Sequence, residues 1–413
     1  STYDVIVVGG GHAGCEAALA AARMGMQTAL ITMRPDKAAN MPCNPSIGGI
    51  AKSHLVFEVD ALGGEIGRNT DLTGIQFRVL NTRKGPAVQA NRVQCDKKVY
   101  NERMCSVLRH TSNLELVEGN VVRLDIGNDA IRGVVLADGT HITTKAVVIC
   151  AGTSLRGTIH IGEETTPGGG GDLPAANDLS LSLQSLGLRT ARLKTGTPPR
   201  LHRDSIDYDL LALQPGTEPP PFFSWTAKRL NGMFHVEHTP EIAEILQMFH
   251  VEHSTKNTGK MPAEPDSNLP AHRSLSTAYL PSLMPWEPGA NQVPCYLGHT
   301  TGETHRIIRE NLDRSSLYGG QISGTGVRYC PSVEDKIVKF PDKPQHHVFV
   351  EPEGRDTELI YPNGISNSLP RDVQEKMVHS IPGLQSAEIL QWAYAIEYDF
   401  VDPTELLPTL ETK

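Results

Sequence analysis

The sequence predicts an α/β protein built on a Rossmann-like dinucleotide-binding domain, and three features near its start support this prediction. Residues 3–8 form an apolar run that is typical of a buried parallel strand. A glycine motif follows at residues 9–14, and an alanine-rich helical stretch at residues 15–24 leads to a second apolar strand at residues 27–32. A GxGxxG motif placed between a strand and a helix is a specific signal for a dinucleotide site.

The glycines of this motif have separate physical roles. Gly9 permits a tight turn, Gly11 lets the backbone approach a pyrophosphate, and Gly14 allows the helix to pack closely on the strand. The phosphates are expected at the helix N-terminus, where unpaired backbone N–H groups attract anions. The predicted cofactor-binding positions here are Gly9, Gly10, Gly11, His12, Ala13 and Gly14.

The second strand lacks the acidic residue that usually holds a ribose hydroxyl. It ends at Ile31-Thr32-Met33, and the first acid, Asp36, comes late for that role. FAD is therefore favoured over NAD as the ligand of this site. Residues 146–153, a strand followed by a turn of small residues, resemble the segment that closes the FAD domain of glutathione-reductase-like flavoproteins.

The length of 413 residues suggests two to three domains, at roughly 150 residues each. We place the first part of the FAD-binding domain at 1–200, with an antiparallel meander at about 113–145, where short apolar runs alternate with turns. We expect an inserted second α/β domain at 201–325, which includes a variable, flexible segment at about 218–290. The chain is then expected to return to the FAD domain at 326–413.

Composition limits the classes of protein to which the chain can belong. No apolar run approaches the roughly 18 residues of a membrane span, and we recognise no signal peptide, so we expect a cytoplasmic protein without membrane association. The cysteines are odd in number, scattered and without a CxxC motif, so we expect reduced thiols rather than disulfides or a zinc ribbon. They are Cys15, Cys43, Cys95, Cys105, Cys150, Cys295 and Cys330.

A net charge of -9 argues against general nucleic-acid binding, but residues 78–103 carry seven basic and only two acidic side chains. Two interpretations remain open for this stretch, namely a phosphate-binding surface and the solvated face of a helix over residues 91–110. The segment 81–86 is less helix-like and is more consistent with a loop that faces a ligand.

Several longer motifs along the chain belong together. They are residues 9–14, Cys43-Asn44-Pro45-Ser46-Ile47-Gly48-Gly49, residues 58–64, Lys194-Thr195-Gly196-Thr197-Pro198-Pro199-Arg200, residues 328–336 and residues 361–366. Together they resemble the MnmG (GidA) family of tRNA-modifying flavoproteins, over nearly the whole chain apart from about residues 218–290.

The resemblance implies an FAD enzyme that acts with the GTPase MnmE and installs a (carboxymethyl)aminomethyl group on C5 of the wobble uridine of certain tRNAs. Methylenetetrahydrofolate would supply the carbon, NADH would reduce the flavin, and glycine or ammonium would supply the nitrogen. The inserted domain would be of NADH type, and the assembly would be a homodimer that forms a heterotetramer with MnmE.

The resemblance also implies positions for the two cofactors. The FAD contacts correspond to Gly9 to Gly14 and to Val121. The NADH segment corresponds to Gly326, Val327, Arg328, Tyr329, Cys330, Pro331, Ser332, Val333, Glu334, Asp335, Lys336, Ile337, Val338, Lys339 and Phe340.

The resemblance implies that Cys43 and Cys330 are the candidate catalytic residues. A thiol suits the reaction because C5 of uracil is a poor nucleophile until a group such as a thiolate adds at C6. A free thiol has a pKa of about 8.5 and needs a helix N-terminus or a cation to ionise at neutral pH. Cys43 precedes a predicted turn and helix, while Arg328 and Lys336 flank Cys330. We expect the other five cysteines to be small buried hydrophobic residues.

The hexapeptide at residues 233–238, Met-Phe-His-Val-Glu-His, recurs unchanged at residues 248–253. Four imidazoles from two copies would suit zinc, but we expect no metal site. The hexapeptide can be encoded by ATG TTC CAC GTG GAA CAT, which is its own reverse complement. We therefore favour two palindromic DNA sites that are translated as tolerated insertions.

Three alternatives to the first function remain open. One is a folate- and FAD-dependent tRNA uridine 5-methyltransferase, and a second is a flavin thiol-disulfide reductase. The third is a flavin-binding module without activity, because the sequence ends at Lys413, before the second glycine-rich flavin contact and the C-terminal helical region that the resemblance implies. On this view we expect weaker FAD binding and loss of the MnmE contact.

Overall fold

A computed structural model describes residues 2–225, 286–327 and 330–413. Both copies of the repeated hexapeptide, most of the segment 218–290, and Arg328 and Tyr329 lie outside the described residues. Among the residues that are described, no helix is long and apolar enough to cross a lipid bilayer.

Strands and helices alternate in the first half of the chain, and strands dominate the second. The strands are β1 (Thr2–Val8), β2 (Thr28–Thr32), β3 (Ser46–Gly48), β4 (Gly74–Leu80), β5 (Ala90–Cys95), β6 (Leu114–Glu118), β7 (Val121–Gly127), β8 (Ala130–Leu136), β9 (His141–Ile149), β10 (Thr158–Ile161), β11 (Glu164–Pro167), β12 (Thr190–Thr197), β13 (Arg200–His202), β14 (Ala212–Gln214), β15 (Cys295–His299), β16 (Thr325–Gly326), β17 (His347–Pro352), β18 (Leu359–Asn363), β19 (Ile389–Gln391) and β20 (Tyr394–Val401). The α-helices are α1 (His12–Arg23), α2 (Ser53–Ala61), α3 (Ile66–Thr73), α4 (Lys97–His110), α5 (Asn177–Ser185), α6 (Gly302–Arg309), α7 (Val333–Lys339) and α8 (Arg371–His379).

The predicted Rossmann-like unit is confirmed. The first sheet has the order β6-β2-β1-β9-β8-β7, and β6, β2, β1 and β9 run parallel. Ile6 and Val7 are fully buried, as expected for a strand that is covered on both faces. Helix α1 ends where Gly25 adopts a φ of 88°, a left-handed conformation that glycine adopts without steric cost.

The predicted antiparallel meander is present, but its first strand differs from the prediction. Strand β6 pairs parallel with β2, and the antiparallel part begins with β7 at Val121. Strand β9 is nine residues long and pairs with β8 in its first part and with β1 along most of its length. The alternating pattern of a strand does not reveal the direction of its partner, so the sequence did not distinguish β6 from the meander.

The helix predicted over residues 91–110 is wrong in its first part. Residues 90–95 form β5, the central strand of the small sheet β3-β5-β4, and α4 begins only after Asp96. The Asp96 side chain caps α4 by accepting hydrogen bonds from the backbone N–H groups of Lys98 and Val99.

Most of the basic stretch is therefore not a solvated helix face. Arg92 pairs with Glu351 at 2.8 Å, Lys97 pairs with Glu353 at 3.0 Å, and Arg103 pairs with Glu65 at 2.9 Å. These three cations neutralise buried carboxylates inside the protein, which removes them from any phosphate-binding surface. Residues 82–89 are all exposed, so the loop that contains Arg83 and Lys84 keeps its charge on the surface.

The second half of the chain forms a sheet of order β14-β15-β17-β18-β13-β19. Its core includes Leu201, Ile308, Ile337 and Ala387, which belong to one apolar cluster. Segments on both sides of the expected boundary at residue 325 contribute to this core, so neither the sheet nor its core divides at that residue.

A further sheet, β11-β10-β20-β12-β16, links the two halves. Strand β20 pairs antiparallel with the whole of β12, from Thr190 opposite Val401 to Thr197 opposite Tyr394. Strand β13 follows β12 after two prolines, Pro198 and Pro199, so this sheet leads directly into the second one.

Glu65 joins three helices of the first half. Its carboxylate lies 2.7 Å from Arg23 at the end of α1 and 2.9 Å from Arg103 on α4, and it directly precedes α3. Burial raises the pKa of Glu65, but the guanidinium groups, first that of Arg103, outweigh burial, and the net effect is a lowered pKa. The carboxylate is therefore ionised in the folded protein.

We predict that Glu65→Gln lowers the free energy of unfolding by about 3–5 kcal/mol at neutral pH, because it leaves buried arginines without a counter-charge. The Glu65 pKa is lowered on folding, so the stabilisation is complete above the ordinary value of 4.5 and is lost as the pH falls through the lowered pKa. Urea unfolding at several pH values measures the effect.

The control is Glu102→Gln on α4, whose carboxylate is half-exposed and lies 3.9 Å from Lys98. It should change the free energy of unfolding by less than about 0.5 kcal/mol. Equal losses in both variants, or a Glu65→Gln loss that does not shrink in acid, would contradict the interpretation of Glu65 as an ionised junction.

Candidate functional site

A groove lies at the carboxyl ends of β1, β2 and β9, the edge of a parallel sheet at which nucleotides bind in this class of fold. Four segments line it, namely residues 8–11 after β1, residues 31–34 after β2, residues 119–121 before β7 and residues 150–154 after β9. Lys37, Asn40 and Pro42 complete one wall.

The backbone of the glycine motif has the geometry that a dinucleotide site needs. Gly9 has a φ of +105°, and a Cβ atom there would lie 2.3 Å from the Cys150 carbonyl oxygen. A Cβ atom on Gly14 would lie 1.8 Å from the Gly9 carbonyl oxygen, whereas Gly11 has open space in front of it. Gly11 precedes α1, and no side chain caps that helix. Its free N–H groups suit a pyrophosphate.

The six residues of the motif divide by location. Gly9, Gly10 and Gly11 line the groove together with Val121, so the structure brings these predicted contacts together. Gly14 is buried, and His12 lies with its ring centroid 5.5 Å from that of Tyr100. Burial lowers the pKa of His12 to about 4, so this imidazole is neutral at physiological pH.

Sequence reasoning missed the polar residues that follow β2. Arg34, Lys37 and Asn40 line the groove, and Arg34 forms two hydrogen bonds with Asp36, at 2.9 and 2.7 Å. Asp36 is thus held by a neighbouring cation rather than presented as a free acid. These residues directly follow β2, whose carboxyl end forms part of the groove, and that position is the sequence signal that could have identified them.

Cys43 directly follows Pro42, which lines the groove. Its Sγ atom lies 2.9 Å from the hydroxyl oxygen of Tyr361 on β18 and 3.6 Å from the carbonyl oxygen of Gly196 on β12. Cys43 is half-buried as a residue.

The Cys330 thiol is directed to the same carbonyl. Its Sγ atom lies 3.7 Å from the Gly196 oxygen and accepts a hydrogen bond from the Thr195 hydroxyl at 3.2 Å. Cys43 and Cys330 are 287 positions apart in the chain, and the fold brings both sulfurs to a single backbone oxygen. The two predicted thiols therefore form one site.

Arg200 holds the Cys43 loop in place. Its guanidinium donates hydrogen bonds to the backbone oxygens of Pro42 and Cys43 at 2.8 and 3.0 Å, and its Nε atom donates to Glu353 at 2.7 Å. The guanidinium also lies 4.7 Å from the centroid of the Tyr361 ring, the geometry of a cation–π contact.

The expected source of positive potential at Cys43 is different in the structure. The residues after Cys43 form β3, and α2 begins only at Ser53, so no helix N-terminus directly follows the thiol. The buried cation beside the Cys43 loop is Arg200. The residues after Cys43 could only suggest a local helix. They could not reveal Arg200, because β13 is distant in the sequence.

Lys336 is the cation near Cys330 among the described residues of its segment. Its Nζ atom donates to the Gly364 carbonyl oxygen at 2.8 Å. Burial lowers the pKa of Lys336, and the Cys330 thiol acts in the opposite direction. Arg328, the other cation that the sequence placed beside Cys330, lies outside the described residues.

The remaining residues of the 326–340 segment have two environments. Gly326 pairs with Lys194 at the edge of β12, and Phe340 is exposed. Helix α7 faces the core with Val333, Glu334 and Ile337, which are buried. Ser332, which caps α7, is also buried. The other described residues of the segment are exposed or half-buried, namely Val327, Pro331, Asp335, Val338 and Lys339.

Four of the other five cysteines are buried as predicted, whereas Cys150 is half-buried and lines the groove. The buried four are Cys15, Cys95, Cys105 and Cys295, and all five are free thiols. Burial raises the pKa of each of these thiols, that of Cys15 to about 12, which keeps them protonated. Cys95 and Cys105 lie on a strand and a helix, β5 and α4, not on one helix.

Comparison with known proteins identifies relatives along the whole chain. A family model described as "Glucose inhibited division protein A" matches residues 4–257 and 251–413. The chain is 47% identical over 412 residues to the tRNA uridine 5-carboxymethylaminomethyl modification enzyme MnmG of Geobacter sulfurreducens, and 47% identical over 411 residues to that of Syntrophotalea carbinolica.

These matches cover 100% of this chain but 56% and 57% of the two relatives, so the chain spans little more than half of their length. The crystal structure of Aquifex aeolicus GidA (form I) is similar, with a TM-score of 0.81 and 46% identity, over 100% of this chain and 60% of that one. The extent and level of these matches establish that the chain belongs to the glucose inhibited division protein A (GidA, MnmG) family.

Proposed function

We propose that the chain forms the FAD-binding and thiol-bearing part of an enzyme that modifies the wobble uridine of tRNA at C5. The modification would be a (carboxymethyl)aminomethyl group, installed together with the GTPase MnmE. The observation that supports this proposal most is the convergence of Cys43 and Cys330 on the Gly196 carbonyl beside the groove. The names of the relatives from Geobacter and Syntrophotalea indicate the same reaction.

The groove suits FAD in its backbone geometry. The phosphates would lie against the N-terminus of α1 at Gly11, and the segments around Val121 and Ala151 would line the rest of the cofactor. FAD would supply the redox chemistry, with NADH as its reductant near residues 326–340 and methylenetetrahydrofolate as the source of carbon. Exposed and half-buried members of that segment, such as Gly326 and Lys336, are the ones available to a second nucleotide.

The thiols would activate the uracil ring. In this step the sulfur of one thiolate forms a bond to C6, and the electron pair of the C5–C6 double bond moves toward C5 and the O4 carbonyl. C5 would then attack the one-carbon unit that methylenetetrahydrofolate supplies, and the carbon–nitrogen bond that breaks would leave its electron pair on the folate nitrogen. Loss of the C5 proton expels the sulfur and restores the double bond, so the enzyme regains its thiolate.

The surroundings of the two sulfurs suit a nucleophile and a neighbour that assists it. Cys43 has a hydroxyl and a buried guanidinium beside its loop, and Cys330 has the Thr195 hydroxyl and Lys336. Cations and hydrogen-bond donors favour the ionised form of a thiol. Either sulfur can serve as the nucleophile on this geometry.

The second candidate is a folate- and FAD-dependent tRNA uridine 5-methyltransferase, which would use the same groove and thiols. The activity in the names of the relatives from Geobacter and Syntrophotalea favours the first candidate. A thiol-disulfide reductase has less support, because it needs a close pair of cysteines near the flavin. Cys95 and Cys105, the nearest pair in the sequence, lie on different elements and both are buried. A flavin-binding module without activity would bind FAD but leave both thiols without function.

The proposal also covers the location, the oligomeric state and the partners of the protein. The protein would act in the cytoplasm on tRNA, as a homodimer that forms a heterotetramer with MnmE when full length. The exposed loop at residues 82–89 is one part of the basic stretch that remains available to RNA, whereas Arg92, Lys97 and Arg103 are paired internally.

We predict that Cys43→Ser and Cys330→Ser each reduce wobble-uridine modification. The variant that lacks the nucleophile should lose about 1,000-fold or more, since a hydroxyl is a far weaker nucleophile than a thiolate. Mass spectrometry of tRNA nucleosides after reaction with MnmE, NADH and methylenetetrahydrofolate measures the product. Cys105→Ser, at a buried cysteine on α4, is the control and should retain activity. Full activity in both site variants would refute the thiol mechanism.

We predict that Gly14→Ala weakens FAD binding by at least about tenfold, because its Cβ atom would displace α1 from the turn at Gly9. Titration followed by flavin fluorescence gives the dissociation constant. Gly302→Ala, at the first position of α6 with open space around it, is the matched control. An unchanged FAD affinity in a folded Gly14→Ala variant would exclude the groove as the FAD site.

We predict that Arg83→Ala combined with Lys84→Ala weakens tRNA binding and reduces the slope of log K against log salt by about 1 to 2, as expected when two phosphate contacts are lost. Filter binding at several salt concentrations gives the slope. The control is Lys98→Ala on α4, whose ammonium lies 3.9 Å from Glu102. An unaltered slope in the double variant would show that this loop does not contact RNA phosphates.

A further inference from the structure

Tyr361 places a hydroxyl directly on one of the two thiols. Its oxygen lies 2.9 Å from the Cys43 sulfur, and the residue is only 4% exposed. Strand β18, which holds Tyr361, belongs to the second sheet, whereas Cys43 lies in the loop before β3 of the first half. The contact is therefore made across the two halves of the chain.

The groups around the Cys43 sulfur come from several elements. Tyr361 faces it from β18, Arg200 from β13, Tyr394 from β20 and the Gly196 carbonyl from β12. Glu353 neutralises Arg200. Glu351 accepts a hydrogen bond from the side chain of the next residue, Asn44, at 2.7 Å. Of these groups, Tyr361 has its hydroxyl within hydrogen-bond distance of the sulfur.

The Tyr361 hydroxyl is protonated and can therefore donate a hydrogen bond. Burial raises the pKa of Tyr361 well above its ordinary value, and the adjacent Cys43 sulfur acts in the same direction. The hydroxyl therefore keeps its proton at physiological pH. When the thiol is ionised, the sulfur has no hydrogen to donate, so the hydrogen bond between the two atoms must run from Tyr361 to Cys43.

Arg200 fixes the geometry of this pair. The same guanidinium binds the Cys43 backbone oxygen at 3.0 Å and lies over the Tyr361 ring at 4.7 Å. A cation that holds one partner by its backbone and the other by its ring limits the movement of the sulfur relative to the hydroxyl. Arg200 is a positioning residue in this arrangement.

We propose that Tyr361 is a further catalytic residue of this site, which donates a hydrogen bond to the Cys43 thiolate and so keeps the sulfur ionised and oriented. The proposal rests on the function proposed above for Cys43. When Cys43 ionises, its proton passes to solvent and the sulfur keeps the electron pair, while Tyr361 retains its own proton. No bond to Tyr361 forms or breaks.

The test measures the reaction of Cys43 with iodoacetamide as a function of pH, with the Cys43 peptide quantified by mass spectrometry. In Tyr361→Phe we expect alkylation at neutral pH to be about tenfold slower and the midpoint of the pH profile to rise, because a hydrogen bond to a charged group is lost. Tyr208→Phe is the control. Its hydroxyl donates to the Arg203 carbonyl oxygen at 3.2 Å, and Tyr208 is not among the groups around the Cys43 sulfur, so the profile should not move.

Site-specific replacement of Tyr361 by 3-fluorotyrosine is the second variant, and it keeps the size of the side chain. Its more acidic phenol is a stronger donor, so the midpoint should move to lower pH. A profile that stays fixed in both Tyr361 variants, or that moves equally in Tyr208→Phe, would overturn the proposal.

This experiment is independent of tRNA modification. If Cys43 did not act on uracil, Cys43→Ser would retain the modification while the alkylation profile still shifted in Tyr361→Phe. If Tyr361 did not hold the thiolate, the profile would be unchanged while Cys43→Ser still lost activity. The two failures are therefore distinguishable.

Discussion

The buried guanidinium of Arg200 is the interaction on which the candidate site depends. It binds Glu353, the Thr197 hydroxyl, and the backbone oxygens of Pro42 and Cys43, all within 3.0 Å. Only arginine offers five donors in a planar fork that can satisfy so many acceptors at once. Together with the hydrogen bond from Asn44 to Glu351, it fixes the Cys43 loop relative to the strands of the second half of the chain.

Two glutamates at the end of β17 extend this arrangement. Glu351 binds Arg92 and Asn44, and Glu353 binds Lys97 as well as Arg200. Buried ion pairs of this kind contribute little net stability, since desolvation of the charges offsets their attraction. Their effect here is one of specificity, because any other arrangement of the two halves would leave each carboxylate buried without a counter-charge, which is unfavourable.

The Rossmann-like unit was predictable because its signals are local. A tight turn, a close helix and an apolar strand each require residue types that can be read within residues 3–32. The helix assigned to residues 91–110 shows the limit of such reasoning. Strand β5 is paired on both sides, and its basic residue Arg92 is stabilised by Glu351, which is distant in sequence. From the sequence, a phosphate-binding surface and a solvated helix face were both open for this stretch, and the tertiary ion pair of Arg92 fits neither.

The sequence by itself determined the dinucleotide turn and singled out Cys43 and Cys330, because glycine geometry and thiol chemistry depend on residue type. Only the tertiary structure decided that the two sulfurs share the Gly196 carbonyl, and that Tyr361 and Arg200 surround Cys43. The physical reason is that strand pairing brings β12, β13 and β18 to the Cys43 loop. Contacts between residues this far apart leave no periodicity or spacing in the sequence.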